Sequence, residues 1–155
     1  MPVDAEASAK VPRRPGLRRA REEDLHSLIE LVAAYYQEDG HRFDERRLRR
    51  ALAELLGDPR SGALVVAEEE GRLIGYGVVA FGFSLEFGGR DAFVDELYFE
   101  PEFRGQGWGA MLLERLIDEA RAAGVRGCTS RSSAETIAPG GSTSGADSWT
   151  AIGRC

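Results

Sequence analysis

The segment that most constrains this chain is Arg104-Gly105-Gln106-Gly107-Trp108-Gly109-Ala110. It lies between an extended run, Ala92–Phe99, and a stretch of helical spacing in Gly107–Ala123, where Leu112, Leu113, Leu116, Ile117 and Ala120 form one apolar stripe. Three alternating glycines let the backbone pass close to a ligand. The first N–H groups of the helix point outward, unpaired, with the positive end of the helix dipole behind them. Such a turn is suited to a phosphate or pyrophosphate, and Arg104 adds a fixed positive charge with forked donor geometry.

Other readings of the same residues stay open. Gly105-x-Gly107-x-x-Ala110 formally fits a dinucleotide fingerprint, but that motif opens its domain and is followed by further strand–helix units, whereas 45 residues follow Ala110. The P-loop fits less well, because no Gly-Lys-Ser/Thr follows. A third reading is a tight strand–helix turn whose glycines serve packing alone.

The rest of the chain supplies the frame for this turn. Leu17–Ala20 reads as a short strand. From Glu22 the spacing turns helical, with Leu25, Leu28, Ile29, Val32 and Tyr36 on one face, and Gly40 stops it. Asp44 N-caps a second helix lined by Leu48, Ala51, Leu52, Leu55 and Leu56, which ends at Gly57-Asp58-Pro59. Ala63–Glu68 and Leu73–Phe83 read as strands joined at Glu70-Gly71, and Gly88-Gly89 turns the chain into Ala92–Phe99. The order β-α-α-β-β-β-α predicts a mixed α/β (α+β) domain with an antiparallel meander at its centre.

Composition bounds the function classes. A length of 155 residues suits one domain. Twenty basic against 26 acidic side chains, a net charge of −6, argue against a nucleic-acid binder. No apolar run is long enough for a membrane span, and residues 1–15 carry no hydrophobic stretch of a secretory signal but three of the six prolines, as in a disordered leader. The two cysteines, Cys128 and Cys155, make no disulfide framework, so a cytoplasmic location is the expectation.

Arg104-x-x-Gly107-x-Gly109, preceded by Asp95-Glu96-Leu97-Tyr98-Phe99-x-Pro101-Glu102, resembles the coenzyme A-binding signature of the GNAT superfamily of N-acetyltransferases. The element order matches as well, so the resemblance covers roughly residues 17–126. It implies a GNAT-like mixed, mostly antiparallel sheet flanked by helices. It also implies acetyl-CoA as co-substrate, its pyrophosphate on Arg104, Gly105, Gln106, Gly107, Trp108, Gly109 and Ala110, and its pantetheine arm along the main chain of Leu97, Tyr98 and Phe99. The acceptor would be an amine, on a small molecule or a peptide, and a homodimer is compatible with the family. No metal is called for.

An alkyl ammonium titrates near ~10.4, so a group on the protein or an ordered water must take a proton before attack on the thioester. By the resemblance, Glu96 is the best candidate for that base; an ordinary strand-surface glutamate is the competing reading. Asp95 should face the other side of the strand. Tyr35, Tyr36 and His41 fall in the region that shapes the acceptor site in the family. Phe81, Phe83, Glu86 and Asp91 are candidates for the mouth of the site, and core or hairpin packing explains them nearly as well.

The tail departs from the family pattern. Residues 127–155 hold six Ser, four Thr and five Gly but no Leu, Val, Phe, Tyr or Met. They offer no periodic apolar face and none of the last strand, last helix or thiolate-protonating tyrosine that the resemblance implies. Of the 20 basic residues, only Lys10 is not arginine, which points to a coding sequence rich in G and C. Read one base over, that tail permits Leu-His-Leu-Glu-Val-Glu-Arg from Gly127, then a Leu-Tyr at Gly141–Thr143 and a Gly-Phe at Ala146–Ser148. A single-base slip near Arg126 is therefore the hypothesis for an irregular, out-of-frame tail, with a divergent tail as the alternative. On that hypothesis the sheet edge beside Ala92–Phe99 loses its cover, and the chain should aggregate or melt without cooperativity. Three readings of function stand: an N-acetyltransferase, a CoA-binding protein without turnover, and an inactive product of a frame error.

Overall fold

In the computed structural model the described residues are 13–131 and 149–153. The disordered leader expected over 1–15 lies mostly outside them. The chain forms β1 (Gly16–Arg19), α1 (Leu25–Asp39), α2 (Glu45–Gly57), β2 (Gly62–Glu69), β3 (Arg72–Ser84), β4 (Gly89–Phe99), α3 (Trp108–Ala122), β5 (Gly127–Arg131) and β6 (Trp149–Gly153). Short 3-10 turns precede α1 (Glu22–Asp24) and lead out of β4 (Pro101–Phe103). No helix among the described residues is long and apolar enough to cross a membrane.

One sheet in the order β1-β2-β3-β4-β5-β6 carries the whole fold. All neighbours are antiparallel except β4 and β5, which run parallel. This is the mixed, mostly antiparallel sheet flanked by helices that the sequence predicts. Its two faces bury separate cores. On one, Leu112, Leu116 and Ala120 of α3 pack on Val65, Ile74, Val79, Val94 and Phe99. Gly77 makes this contact possible, since a Cβ there would sit 2.7 Å from Leu116. On the other face, Leu28, Ile29, Leu31 and Val32 of α1 and Leu52 of α2 pack on Leu64, Val66, Tyr76 and Tyr98.

The caps follow the chemistry of the sequence. Asp44 accepts a hydrogen bond from the Arg47 N–H at 3.0 Å, as an N-cap should. Gly40 closes α1 in the left-handed conformation at φ 70°. At the other end of α1, Arg18 pairs with Asp24 and Glu68, which ties β1 to the helix start and holds the Asp24 carboxyl below the usual aspartate range.

The expected loss of regular structure after Arg126 is corrected in part. β5 pairs with β4 over Asp91–Val94, opposite Gly127–Ser130, so this part of the edge is covered. Backbone pairing needs no apolar period. Cys128 and Ser130 point into the protein and are buried. The segment 132–148, which includes most of the positions used in the alternative frame, also lies outside them.

Candidate active site

The site begins with an irregularity in β4. Val78 of β3 stands opposite Glu96, but the next residue, Val79, stands opposite Val94, so Asp95 is an extra residue without a partner on β3. Such a bulge shifts the side-chain alternation of its strand. Before it, Ala92 and Val94 face α3; after it, Leu97 and Phe99 do. Glu96 and Tyr98 are thereby turned toward α1, whereas a regular strand would place them on the α3 face with Ala92 and Val94. Asp95 is exposed.

Turned this way, Glu96 meets two phenols. Tyr76 Oη donates to Glu96 Oε2 at 2.7 Å, and Tyr36 Oη donates to Glu96 Oε1 at 3.1 Å. Burial pushes the Glu96 carboxyl above its ordinary value, against the opposing effect of the two hydrogen bonds. Desolvation also raises the Tyr36 and Tyr35 hydroxyls to about 12, and Tyr76 further, so all three keep their protons at neutral pH. Tyr35 meets Tyr36 edge-to-face and Tyr98 at a tilt, with centroids 5.8 and 5.7 Å away. His41 lies 5.4 Å from the Tyr36 ring and pairs with Asp39 at 2.7 Å. Tyr35, Tyr36, His41 and Glu96 therefore do come together.

The second half of the site is the glycine turn. Gly105 and Gly107 take φ angles of 74° and 80°, and Gly107 is the residue from which α3 starts. A Cβ built on either would meet nothing within 4 Å, so the turn presents open backbone. The N–H groups of Trp108, Gly109 and Ala110 belong to the first turn of α3, where no intrahelical acceptor exists. Gln106 and Ala110 are exposed beside them. This geometry fits the pyrophosphate of a coenzyme A-type ligand. Beyond Val94 the described part of β5 pairs with β4 no further, so the main chain of Leu97–Phe99 is not taken up by β5.

Two expected ligand residues behave differently from the sequence reading. The Trp108 side chain is buried at 4% exposure, stacked on Phe103 and near Phe99, so only its main chain faces the turn. The Arg104 guanidinium is engaged: Nε donates to the Phe99 carbonyl at 2.7 Å, Nη2 donates to both oxygens of Glu38, and the group lies 5.2 Å from the centre of the Tyr98 ring. Glu38 also accepts from Tyr98 Oη at 3.2 Å. Next to this cluster is an open groove of about 480 Å³ lined by Ala34, Gln37, Glu38, Tyr98, Glu100, Pro101 and Glu102.

The structure does not bring Phe81, Phe83 and Asp91 to Glu96. Asp91 is five residues before Glu96 on β4, roughly 17 Å along a strand. Phe81 pairs with Ala92, and Phe83, 69% exposed, pairs with Arg90. Glu86 belongs to the turn between these strands. Tyr76 and Glu38 were missed by the sequence reading. The signal for Tyr76 was a phenol inside a buried Ile-Gly-Tyr-Gly-Val run, where the hydroxyl must find a partner; Glu38 offered none, being one of two adjacent acids at a helix end.

Comparison with known proteins agrees with this geometry. The family model described as Acetyltransferase (GNAT) family matches residues 25–139. The chain is 28% identical over 120 residues to thialysine N-epsilon-acetyltransferase of Bos taurus, an alignment that takes in 67% of the chain and 66% of that relative. The chain thus spans slightly less than two thirds of that enzyme's length. Among solved structures, it superposes on an integron cassette protein from the Cole Harbour Salt Marsh metagenome with a TM-score of 0.72 and 28% identity, covering 84% of this chain and 92% of that one. A predicted acetyltransferase of Clostridium acetobutylicum, solved with acetyl-CoA, has the same fold at a TM-score of 0.70 and 22% identity, covering 79% and 83%. The chain belongs to the GNAT family of acetyltransferases.

Proposed function

We propose that this protein transfers the acetyl group of acetyl-CoA to a primary amine, with Glu96 as the base. The observation that carries the reading is the Glu96 carboxylate. A bulge turns it out of the α3 core, two phenols hold it, and it lies on the same strand that leads into the open glycine turn. The cofactor's phosphates would rest on the main chain of 105–110, with Arg104 bracing the turn through Phe99 and Glu38 instead of pointing at the phosphates. Its pantetheine arm would add to β4 at Leu97–Phe99 like a short strand.

The chemistry follows from these placements. The acceptor ammonium gives a proton to Glu96, directly or through one water, and the free amine attacks the thioester carbonyl. The C–N bond forms as the carbonyl becomes an oxyanion, which a main-chain N–H of β4 would stabilise. Collapse breaks the C–S bond; the nitrogen, positively charged since the attack, gives up its second proton as the departing thiolate takes one, so that the amide and the free thiol leave and the proton donor is restored. The tyrosine that supplies this proton in the family has no counterpart in residues 127–155, and Tyr36, protonated and beside Glu96, is the candidate in its place.

A small cationic amine is the acceptor favoured here. Tyr35 and Tyr36, both half-buried, are aromatic side chains beside Glu96 on which a cation could rest. The adjoining groove carries Glu38, Glu100 and Glu102, and the Bos taurus relative is named for an amino acid acceptor. The competing reading, a CoA-binding protein without turnover, is favoured by the missing family tyrosine. Product formation from acetyl-CoA with a panel of diamines and amino acids, beside calorimetric CoA binding, separates them: binding with turnover supports the enzyme, binding without turnover the alternative.

A further inference from the structure

We propose that Tyr76 is a positioning residue for Glu96, its phenol acting with that of Tyr36 to hold the carboxylate in a single orientation as proton acceptor. The inference rests on the reading of Glu96 as the base.

Tyr76 is fully buried on β3, opposite Tyr98. A phenol in that position costs stability unless its hydroxyl is paired. Its partner is Glu96 Oε2, reached diagonally from a position two residues along β3 from the one facing Glu96. The bulge at Asp95 is what makes the contact possible. In a regular strand Glu96 would share the α3 face with Val94, and the Tyr76 hydroxyl would lose this partner. Bulge and phenol therefore work as one device.

The clamp takes one oxygen each: Tyr76 on Oε2 and Tyr36 on Oε1. A protonated carboxyl has to turn one oxygen into a donor and give up part of this arrangement, so the two phenols favour the ionised form. Burial and Asp95 on the same strand act in the opposite direction, while His41 from the loop after α1 acts with the phenols. Tyr35 of α1 faces the same cluster. The net result is a carboxyl that titrates above its ordinary value because it is buried, and less far above it than burial alone would put it because the two phenols hold its ionised form. If Tyr76 served only to fill the core, replacing its hydroxyl would alter stability and leave Glu96 unaffected.

The test is a carboxyl-carbon NMR titration of the full chain labelled at glutamate, with the Glu96 signal assigned by its loss in Glu96→Gln. Tyr76→Phe keeps the ring and removes the donor. The Glu96 midpoint should rise by about one pH unit, the scale of a hydrogen bond to a charged acceptor. With acetyl-CoA and amine, kcat should fall at neutral pH while KM for acetyl-CoA is unchanged. Tyr36→Phe, at a half-buried position that tolerates the change, should shift the midpoint in the same direction. A folded Tyr76→Phe chain with an unmoved Glu96 midpoint overturns the proposal, and so does an unmoved midpoint in Tyr36→Phe should Tyr76→Phe not fold. Full turnover by Glu96→Gln would instead overturn the reading of Glu96 as base, whatever the midpoints show.

Discussion

Arg104 Nη2 donates to both carboxylate oxygens of Glu38, at 2.8 and 3.1 Å, and so joins the last turn of α1 to the loop that leads into α3. The same guanidinium holds the Phe99 carbonyl at the end of β4. Three elements that border the glycine turn are thus fixed to one another by a single side chain. The pair is nearly half exposed on both sides, so its value to stability is small, about 0–1 kcal/mol. Its consequence is electrostatic: Glu38 places a negative charge beside the turn proposed to hold the cofactor's phosphates.

Glu38→Gln should therefore bind CoA more tightly, by about two- to fivefold at low salt, with the gain disappearing near ~1 M salt. Calorimetry at two ionic strengths reads this directly. Weaker binding in the variant would mean that the brace, and not the charge, is what Glu38 contributes.

Gly107→Val should lose CoA binding and some stability together. The backbone there is at φ 80°, where a β-branched residue is strained by about 1–3 kcal/mol, although its Cβ meets open space in the free protein. Gly109, whose Cβ would make only an ordinary 3.8 Å contact with Leu97, separates the two effects. Gly109→Ala should keep the melting temperature and weaken CoA at least several-fold. Unchanged CoA affinity in both variants would remove the turn from the site.

Stability and activity should pull in opposite directions at Glu96. Its carboxyl is raised in the folded state, so the folded protein favours the protonated form. The stabilisation from this preference is present below the ordinary glutamate value and is lost as pH rises through the folded one. Glu96→Gln cannot ionise and can still accept from one phenol. It should match the parent chain in melting temperature in acid and exceed it by a few degrees at pH 8. A variant that melts lower than the parent across the whole range would show the ionised carboxylate to be a net stabiliser.

The helices and central strands were legible because their apolar periods are strong. Leu28, Ile29 and Val32 face the core as their spacing requires, and Leu112, Leu116 and Ala120 do the same on α3. The glycine turn could also be read, since left-handed backbone at Gly105 and Gly107 is a property of glycine itself. The bulge was not legible. Nothing in Val94-Asp95-Glu96-Leu97 marks which residue loses its partner, and that decides which face Glu96 joins. The destination of the Arg104 side chain was equally hidden, because Glu38 lies 66 positions away. β5 escaped notice because its pairing is made by main chain, while composition reports side chains.

We propose further that the segment after Arg126 is read out of frame. Sequencing the coding DNA and its downstream bases should show that one base over gives a continuous strand–helix–strand end. A stop codon directly after Cys155, with the same tail in near relatives, would contradict this.

The central claim is that Glu96 takes the proton from the acceptor amine. The most direct measurement is turnover of Glu96→Gln against the parent chain from pH 6 to 10, with saturating acetyl-CoA and amine. Losing a general base costs roughly 10²–10⁴-fold. The loss should be greatest near neutrality, where the amine is almost wholly protonated, and shrink as pH approaches ~10, where free amine is abundant. Acetyl-CoA affinity should stay within about twofold. A loss of the same size at every pH would contradict the account and make Glu96 a residue that positions the substrate without taking its proton.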